Sequence, residues 1–514
     1  MLKSNNILVI KILRVIKFYK VELIYFEMSF EQHLENRMER FKLLLQNAKF
    51  DFKDYQYEGV KWCITNELNP NPPENCRGGI IADEMGLGKT IMMIGTMFVN
   101  YLPQTLIVVP PVLIQQWYNE IYKTAGHKPL LYYGADKKLI TKSDIQRVPI
   151  ILTTYNTLIR KDCLLKQIIW NRVIFDEAHH LRNSNTAKFR NSNKLKARIK
   201  WLVTGTPIQN KYKDFMNLCA IAGIKRQIYC DENVWKIYAK YFLLRRTKQL
   251  LGIDLKGVTK TNCIVDWKNN KEMKLSQEIH SLLPNQTYVN GNQKYKLAEC
   301  FGKGGALTAL LRARQSCVFP ALMNKTIRTF ARQGMISSEL LEALNYTSKL
   351  DAVIDLMLER KDNGKGKIVF CHFHLEINII CKRLLRGGMK KVVRYDGRNS
   401  GGKNLSKLAE PADALVFQIQ TGCEGLNLQE HFSEIYFVSP HWNPFVEEQA
   451  IARCHRIGQK EDVNIFKFEM SGFNKNDENV DTVSLEKYIN KVQDDKREIS
   501  DRILNVVDEE IIDV

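Results

Sequence analysis

The sequence predicts an α/β protein built from two parallel-sheet lobes with a helical insertion between them, and three observations carry that expectation. Two separate series of short apolar runs alternate with helical stretches, a glycine-rich loop ending in Lys-Thr sits in the first series, and 514 residues are too many for one core. Within each run the apolarity is continuous rather than alternating, which marks strands covered on both faces.

The first series comprises "GGIIA" (78–82), "TLIVVP" (105–110), "VPIILTTY" (148–155), "RVIFDE" (172–177) and "KWLVTG" (200–205). The second begins near residue 365 with "GKIVFCHF", "VVRYDG", "ALVFQIQ" (414–420), "EIYFVSP" (434–440) and "VNIFKF" (463–468), and carries no phosphate loop of its own. Between them the chain is rich in Lys, Leu and Gln at helical spacing with few strand signals. A last helix fits 483–505, where Leu485, Ile489, Val492, Ile499 and Ile503 keep mostly helical spacing on a charged background. The expected division is an N-terminal extension and helix over 1–50, an ATP-binding lobe over 51–215, the helical insertion over 216–345, a second lobe over 346–475, and a brace helix with acidic tail over 476–514. Residues 7–26 are apolar but interrupted by charges that would be costly in a bilayer core, and no small-residue cleavage site follows, so neither a membrane helix nor a signal peptide is expected. Met28 opens a helix capped by Ser29 with Gln32, and residues 1–27 are expected to be an upstream extension of the reading frame.

Composition narrows the partners. The net charge of +20, from 76 Lys and Arg against 56 Asp and Glu, favours a polyanion, most simply nucleic acid. Twelve cysteines never form a C-x-x-C pair, so neither a zinc site nor a dithiol redox motif is expected, and they look like reduced intracellular thiols. In "CHFH", strand alternation would set Cys371 and Phe373 on one face and His372 and His374 on the other, which suits a strand edge better than a metal site.

The chemistry concentrates in two stretches. In "DEMGLGKT" (83–90), Gly86 and Gly88 allow backbone N–H groups to face a polyphosphate, Lys89 reaches the outer phosphates and the Thr90 hydroxyl takes magnesium at a helix N-terminus. In "DEAHH", at the tip of a buried strand, Asp176 can hold the magnesium while Glu177 orients or deprotonates the attacking water. ATP and Mg2+ are the expected cofactors.

These two stretches, followed by "LVTGTPIQN" (202–210), "LLRRTK" (243–248), "TGCEGLNLQ" (421–429), "HWNP" (441–444) and "QAIARCHRIGQ" (449–459), resemble the Swi/Snf family of DNA-dependent ATPases in helicase superfamily two. The likeness runs from about residue 52 to 505 and implies two RecA-like lobes. It implies further that Gln56 in "DYQYEGVKW" reads the base, that Thr204 and Thr206 couple hydrolysis to lobe movement, and that Gln449, Arg453 and Arg456 serve catalysis. Two arginines one helical turn apart, on a lobe without a phosphate loop, could supply charge to the transferring phosphoryl group. "VVPPVLIQQW" (108–117), "TTYNTL" (153–158), "TGCEGLNLQ" and "HWNP" resemble segments that touch the DNA backbone, which nominates Trp117, Thr421, Trp442 and Asn443 as nucleic-acid contacts. Trp442 as core filler is an equal alternative, and "RARQSCVFPAL" (312–322) has the look of a structural part of the insertion.

The chain departs from the family pattern at Ala452, where an aspartate is common, and in the short segment after "RYDGRNS" (394–400). The leading expectation is a duplex-DNA translocase acting on DNA or DNA–protein complexes, with a transcription or chromatin-type protein partner and no membrane. A transcription or RNA-dependent NTPase is the first alternative. The second is a catalytically silent adapter binding DNA or a polymerase, against which stand the intact Lys89, Asp176, Glu177, Arg453 and Arg456. The Lys, Asn and Ile bias suits the AT-rich coding sequence of a large DNA virus. The expected location is intracellular, in a nucleus or a cytoplasmic viral factory, with no compact basic run to serve as a signal.

Overall fold

Two all-parallel sheets organise the chain, seen in a computed structural model that describes residues 30–69, 72, 77–280, 305–334, 337–397, 410–422, 426–473 and 484–510. The expected extension over 1–27, the Ser29 cap, the segment after Gly397 and the last four residues of the tail lie outside the described residues. The chain falls into two units, one of residues up to Ile253 with the chain from Arg502, the other Asp254–Asp501.

The first unit holds seven strands: β1 (Gly78–Ile81), β2 (Thr105–Val109), β3 (Leu130–Leu131), β4 (Ile150–Thr154), β5 (Ile169–Asp176), β6 (Lys196–Val203) and β7 (Leu243–Leu244), in the order β3-β4-β2-β5-β6-β1-β7. The five apolar runs of the first series are β1, β2, β4, β5 and β6; β3 and β7 are two-residue edge strands too short to leave a pattern. Register decides what meets at the carboxyl edge. Val203 at the end of β6 pairs with Ile81 of β1 on one side and Asp176 of β5 on the other, so three strands end level. Glycine is needed within β1, where Gly78 takes φ +101 and an added Cβ would lie 2.1 Å from the Lys200 carbonyl.

Beneath the sheet lies a buried polar knot. Glu67 accepts from Arg172 Nε at 2.7 Å and Nη2 at 2.5 Å, from Trp201 Nε1 at 2.8 Å and from Asn100 Nδ2 at 2.7 Å, and both charged side chains are fully buried. Arg37, on the helix over 30–47, donates to Asn100 Oδ1 at 2.8 Å and ties that helix to the lobe.

The second unit's sheet comprises β8 (Val258–Val265), β9 (Gly366–Cys371), β10 (Val392–Tyr395), β11 (Ala414–Gln418), β12 (Phe432–Phe437) and β13 (Val463–Met470), in the order β10-β11-β9-β12-β13-β8. Residues 216–345 are therefore not purely helical: β7 and β8 fall within them. Strand β8 escaped the pattern because it is an edge strand of mostly exposed polar residues, "VTKTNCIV". Of the helices in that stretch, Asn270–His280, Gly305–Val318 and Asn324–Arg332 pack through Leu275, Ile279, Ala309, Ala313 and Ile327 against Leu485 and Ile489 of the last helix, Leu485–Glu510. That helix is locked by the buried ion pair of Lys349 with Glu486, whose Oε2 also accepts from Met470 N at 2.9 Å.

"CHFH" differs from its expected form. Strand β9 is interior and ends at Cys371, and His374 opens the helix His374–Arg386, so no alternation extends through the motif. His372 is in contact with Arg314 Nη2 at 2.6 Å and stacks on His441 with centroids 5.8 Å apart. Arg314 also donates to the Pro440 carbonyl at 2.5 Å, a packing role for "RARQSCVFPAL".

Candidate nucleotide site

The level ends of β1, β5 and β6 bring three motifs together. After β1 the chain turns through Gly86 (φ 92) and Gly88 (φ 81), both left-handed, and enters the helix Lys89–Val99 with Gly88 as N-cap. A Cβ on Gly88 would lie 2.3 Å from Gln56 Nε2, so the loop passes too closely for any side chain. Gln56, implied on the base, is buried and donates to the Leu87 carbonyl at 3.1 Å, bracing the loop from outside. Lys89 Nζ donates to the carbonyls of Asp83 at 2.7 Å and Glu84 at 3.1 Å. Burial lowers the pKa of Lys89, opposed by the negative charges of Glu177, Asp83 and Asp176. Thr90 occupies the first turn of the same helix.

Asp176 ends β5 and is held on three sides. Its Oδ2 accepts from Trp117 Nε1 at 2.7 Å, its Oδ1 from Glu177 N at 2.9 Å, and its carbonyl from Tyr155 Oη at 2.6 Å. Burial, then the neighbouring Glu177, pushes the Asp176 carboxyl up to about 7. Glu177 itself sits at φ 49, ψ 49, a left-handed conformation unusual for a side-chain-bearing residue and the kind of strain that collects at functional sites. Its Oε2 lies 3.2 Å from His179 Nδ1.

From β6 the chain runs into Thr204-Gly205-Thr206. Thr204 N donates to the Ile81 carbonyl at 3.0 Å, Thr206 N to Thr204 Oγ1 at 3.2 Å, and Gln209 Nε2 to Thr206 Oγ1 at 3.1 Å. A Cβ on Gly205 would meet Met85 Cγ at 2.7 Å and Lys89 Nζ at 3.4 Å, which sets this segment directly against the phosphate loop.

Magnesium fits this donor set. Asp176 at the end of β5 and Thr90 in the first turn of the helix Lys89–Val99 offer hard oxygen ligands. That suits a cation bound partly by protein and partly by phosphates and water.

Trp117 corrects an expectation. Only 1% of it is exposed, inside the first lobe's core, so it is not a nucleic-acid contact; the amphipathic helix Ile114–Ala125 turns its indole inward to the carboxylate of Asp176. Tyr155 and this bond to Asp176 were missed by sequence reasoning, since an aromatic at an apolar position looks like core from either side.

In the second unit, Gln449 is buried on the helix Pro444–Ile451. Arg453 and Arg456 are not one turn apart on a helix, because the helix stops at Ile451 and they lie in the irregular turn that follows. This turn is fixed by Leu428 N donating to the Arg453 carbonyl at 3.1 Å, by buried Cys454, and by Gln459 Nε2 donating to the carbonyls of Phe432 at 3.0 Å and Cys454 at 3.2 Å. Arg456 Nη1 bonds Asn427 Oδ1, and burial followed by the charge of Arg453 lowers its pKa. Asn443 caps the helix by accepting from Phe445 N at 3.3 Å. Trp442 is half-buried, edge-on to Tyr488 at 6.4 Å and packed on the helical cluster, in line with the core alternative. Thr421 lies in the helix Ile419–Gly422; its side chain is outside the described residues.

A parallel sheet with a phosphate loop after one strand and an acidic pair level with it has the form of a phosphate-loop NTPase, and a second parallel-sheet lobe follows it in the chain. Residues 55–296 match the SNF2-related domain and residues 348–458 the helicase conserved C-terminal domain; the chain belongs to the Snf2 family of helicase superfamily two. It is similar to an uncharacterized ATP-dependent helicase of Mycoplasma genitalium, 28% identical over 83% of this chain and 41% of that protein. It is also similar to the ISWI chromatin-remodeling complex ATPase ISW2 of Saccharomyces cerevisiae, 27% identical over 81% of this chain and 38% of that one. A "Probable global transactivator" of Orgyia pseudotsugata multicapsid polyhedrosis virus is 28% identical over 86% of this chain and 89% of its own length. Against the first two, the chain spans about two fifths of the relatives' length.

Proposed function

We propose that this protein is an ATP-dependent motor that tracks along duplex DNA without parting its strands, with the hydrolytic lobe over 51–215, the helical insertion over 216–345 and the arginine-bearing lobe over 346–475. The observation that carries the reading is the common level of Ile81, Asp176 and Val203, which sets Lys89, Glu177 and Gly205 around one place at the sheet edge.

In this reading the amides of 86–90 and the Lys89 ammonium hold the polyphosphate, releasing Lys89 from the Asp83 and Glu84 carbonyls it bonds now. Asp176 and Thr90 would hold magnesium, which would screen the phosphate charge. Glu177 accepts a proton from the attacking water, with His179 beside its carboxylate. Arg453 and Arg456 supply positive charge to the phosphoryl oxygens, and Gln449 shapes the turn that presents them. Thr204 and Thr206, bonded to the end of β1 and to each other, transmit the state of the loop to the helix Tyr212–Ala222. The net charge of +20 and Asn443 serve the DNA backbone. A nuclear or viral-factory location goes with this reading.

Steady-state ATP hydrolysis with no nucleic acid, duplex DNA, single-stranded DNA and RNA, beside Lys89→Ala, tests it. Stimulation by duplex that Lys89→Ala abolishes supports the translocase, and a triplex-displacement assay then reads movement. Stimulation by RNA or single strands alone favours instead the transcription NTPase, which the likeness to a viral transactivator over nearly its whole length also supports. No hydrolysis under any condition leaves the adapter.

A further inference from the structure

The motif "LLRRTK" has no role in the account above, yet it lies against the phosphate loop. We infer that Arg246 and Lys248 are positioning residues that clip the entry of the phosphate loop to the end of the first unit; the inference rests on reading residues 83–90 as the ATP site.

The clip has three parts. The backbone continues the β1–β7 ladder past the strands: Ala82 N donates to the Leu244 carbonyl at 2.7 Å and Glu84 N to the Arg246 carbonyl at 2.9 Å. The Arg246 guanidinium forks onto Asp83, with Nε to Oδ1 at 3.1 Å and Nη2 to Oδ2 at 2.5 Å, and Nη1 donates to the Tyr55 carbonyl beside the "DYQYEG" motif. Lys248 closes the other end, its backbone N reaching Glu84 Oε2 at 2.7 Å and its Nζ reaching Oε1 at 2.6 Å.

Geometry makes these contacts specific to an arginine. A Cβ on Gly59 would lie 2.5 Å from Met92 Cε and 2.7 Å from Arg246 Nη2, so the guanidinium packs directly against that glycine. Asp83 is fully buried and the guanidinium nearly so, which strengthens a planar, bidentate pair that an ammonium could not reproduce. Asp83 and Glu84 are also the residues whose carbonyls Lys89 holds without nucleotide, so a shift of the clip shifts the position from which Lys89 starts. One motif thus holds the base-side segment, the loop entry and the phosphate lysine in mutual register, directly before the chain passes into the second unit at Asp254.

The full chain is compared with Lys248→Met, Arg246→Lys and Lys89→Ala by titration with a fluorescent ADP analogue, by hydrogen–deuterium exchange over 82–88 without nucleotide, and by thermal melting. Losing one charge-assisted bond to the loop is expected to weaken ADP binding about tenfold in Lys248→Met and in Arg246→Lys. Exchange at the Ala82 and Glu84 amides should rise in both, with the melting temperature of Lys248→Met unchanged. Wild-type affinity with wild-type exchange in both variants overturns the inference, and so does a loss of affinity that only follows a lowered melting temperature in both. If Lys89→Ala binds ADP as tightly as wild type, the ATP-site reading falls, and the exchange data alone then decide for or against the clip.

Discussion

The two lobes handle charge differently. In the first, the acidic residues are held by side chains, Asp176 by Trp117 and Tyr155, Asp83 by Arg246 and Glu84 by Lys248, while Gln56 and Lys89 bond carbonyls of the loop. In the second, Arg453 and Arg456 are carried by a turn held mainly through backbone carbonyls and the packing of Cys454. A cage of paired side chains sets positions before any ligand arrives, whereas in the second lobe the backbone of the turn sets where the arginines start and the Arg456 guanidinium rests on Asn427.

The largest expected effect breaks the second lobe's half of that comparison. Arg453→Ala and Arg456→Ala should each lower kcat about a thousandfold, as removal of a phosphoryl-stabilising arginine does, while leaving ADP affinity near wild type; single-turnover kinetics with a parallel ADP titration reads both. Equal losses of affinity and rate would mean that the arginines build the ground-state site instead.

Next comes the first lobe's foundation. Arg172→Met leaves Glu67 buried without its cation and should cost about 3 kcal/mol in a denaturant titration. A smaller cost would show that Trp201 and Asn100 satisfy the carboxylate unaided.

The lobes should also answer pH in opposite directions. His280 is buried, donates from Nδ1 to the Ser276 carbonyl at 2.8 Å and accepts at Nε2 from Leu485 N at 3.1 Å, and burial lowers it to about 4. Unfolded, it takes a proton near 6.5, so its contribution is complete above that pH and fades as pH falls toward 4. Between pH 7 and pH 5 the second unit should lose about 2 kcal/mol, seen as faster exchange at the start of the last helix. Asp176, pushed up to about 7, works the other way: its neutral form is favoured by folding, so stability is full below the ordinary carboxylate value and fades as pH rises through 7. Asp176→Asn should flatten that rise-linked loss, and unchanged pH dependence in the variant would assign it elsewhere.

The smallest effect sharpens the correction at Trp117. Trp117→Phe keeps the core filled but removes the bond to Asp176, worth about 1.5 kcal/mol to a charged acceptor, so the Mg2+ requirement for nucleotide binding should rise about tenfold with duplex affinity unchanged. A loss of duplex affinity instead would restore the contact reading.

Much of this architecture was legible in the chain itself. Continuous apolar runs marked β1, β2, β4, β5 and β6 because strands buried on both faces are mostly apolar, whereas β8 hid because an edge strand can be polar. The stretches 83–90 and 176–177 stood out as a glycine-rich loop and an acidic pair at the end of a strand, because glycine spacing and adjacent carboxylates leave a local mark. Arg246 gave no sign of its partner, and Trp117 gave a misleading one, since neither burial nor the direction of a side chain is local information.

By itself, then, the sequence determined two parallel sheets and the residue types able to meet a polyphosphate, because periodicity and backbone freedom are written residue by residue. Only the tertiary structure decided that Ile81, Asp176 and Val203 end level, that Trp117 faces inward to a carboxylate, that Arg453 and Arg456 leave the helix, and that Arg246 grips Asp83. Those are matters of register and long-range pairing, set by how strands far apart in the chain align when their apolar faces are buried together.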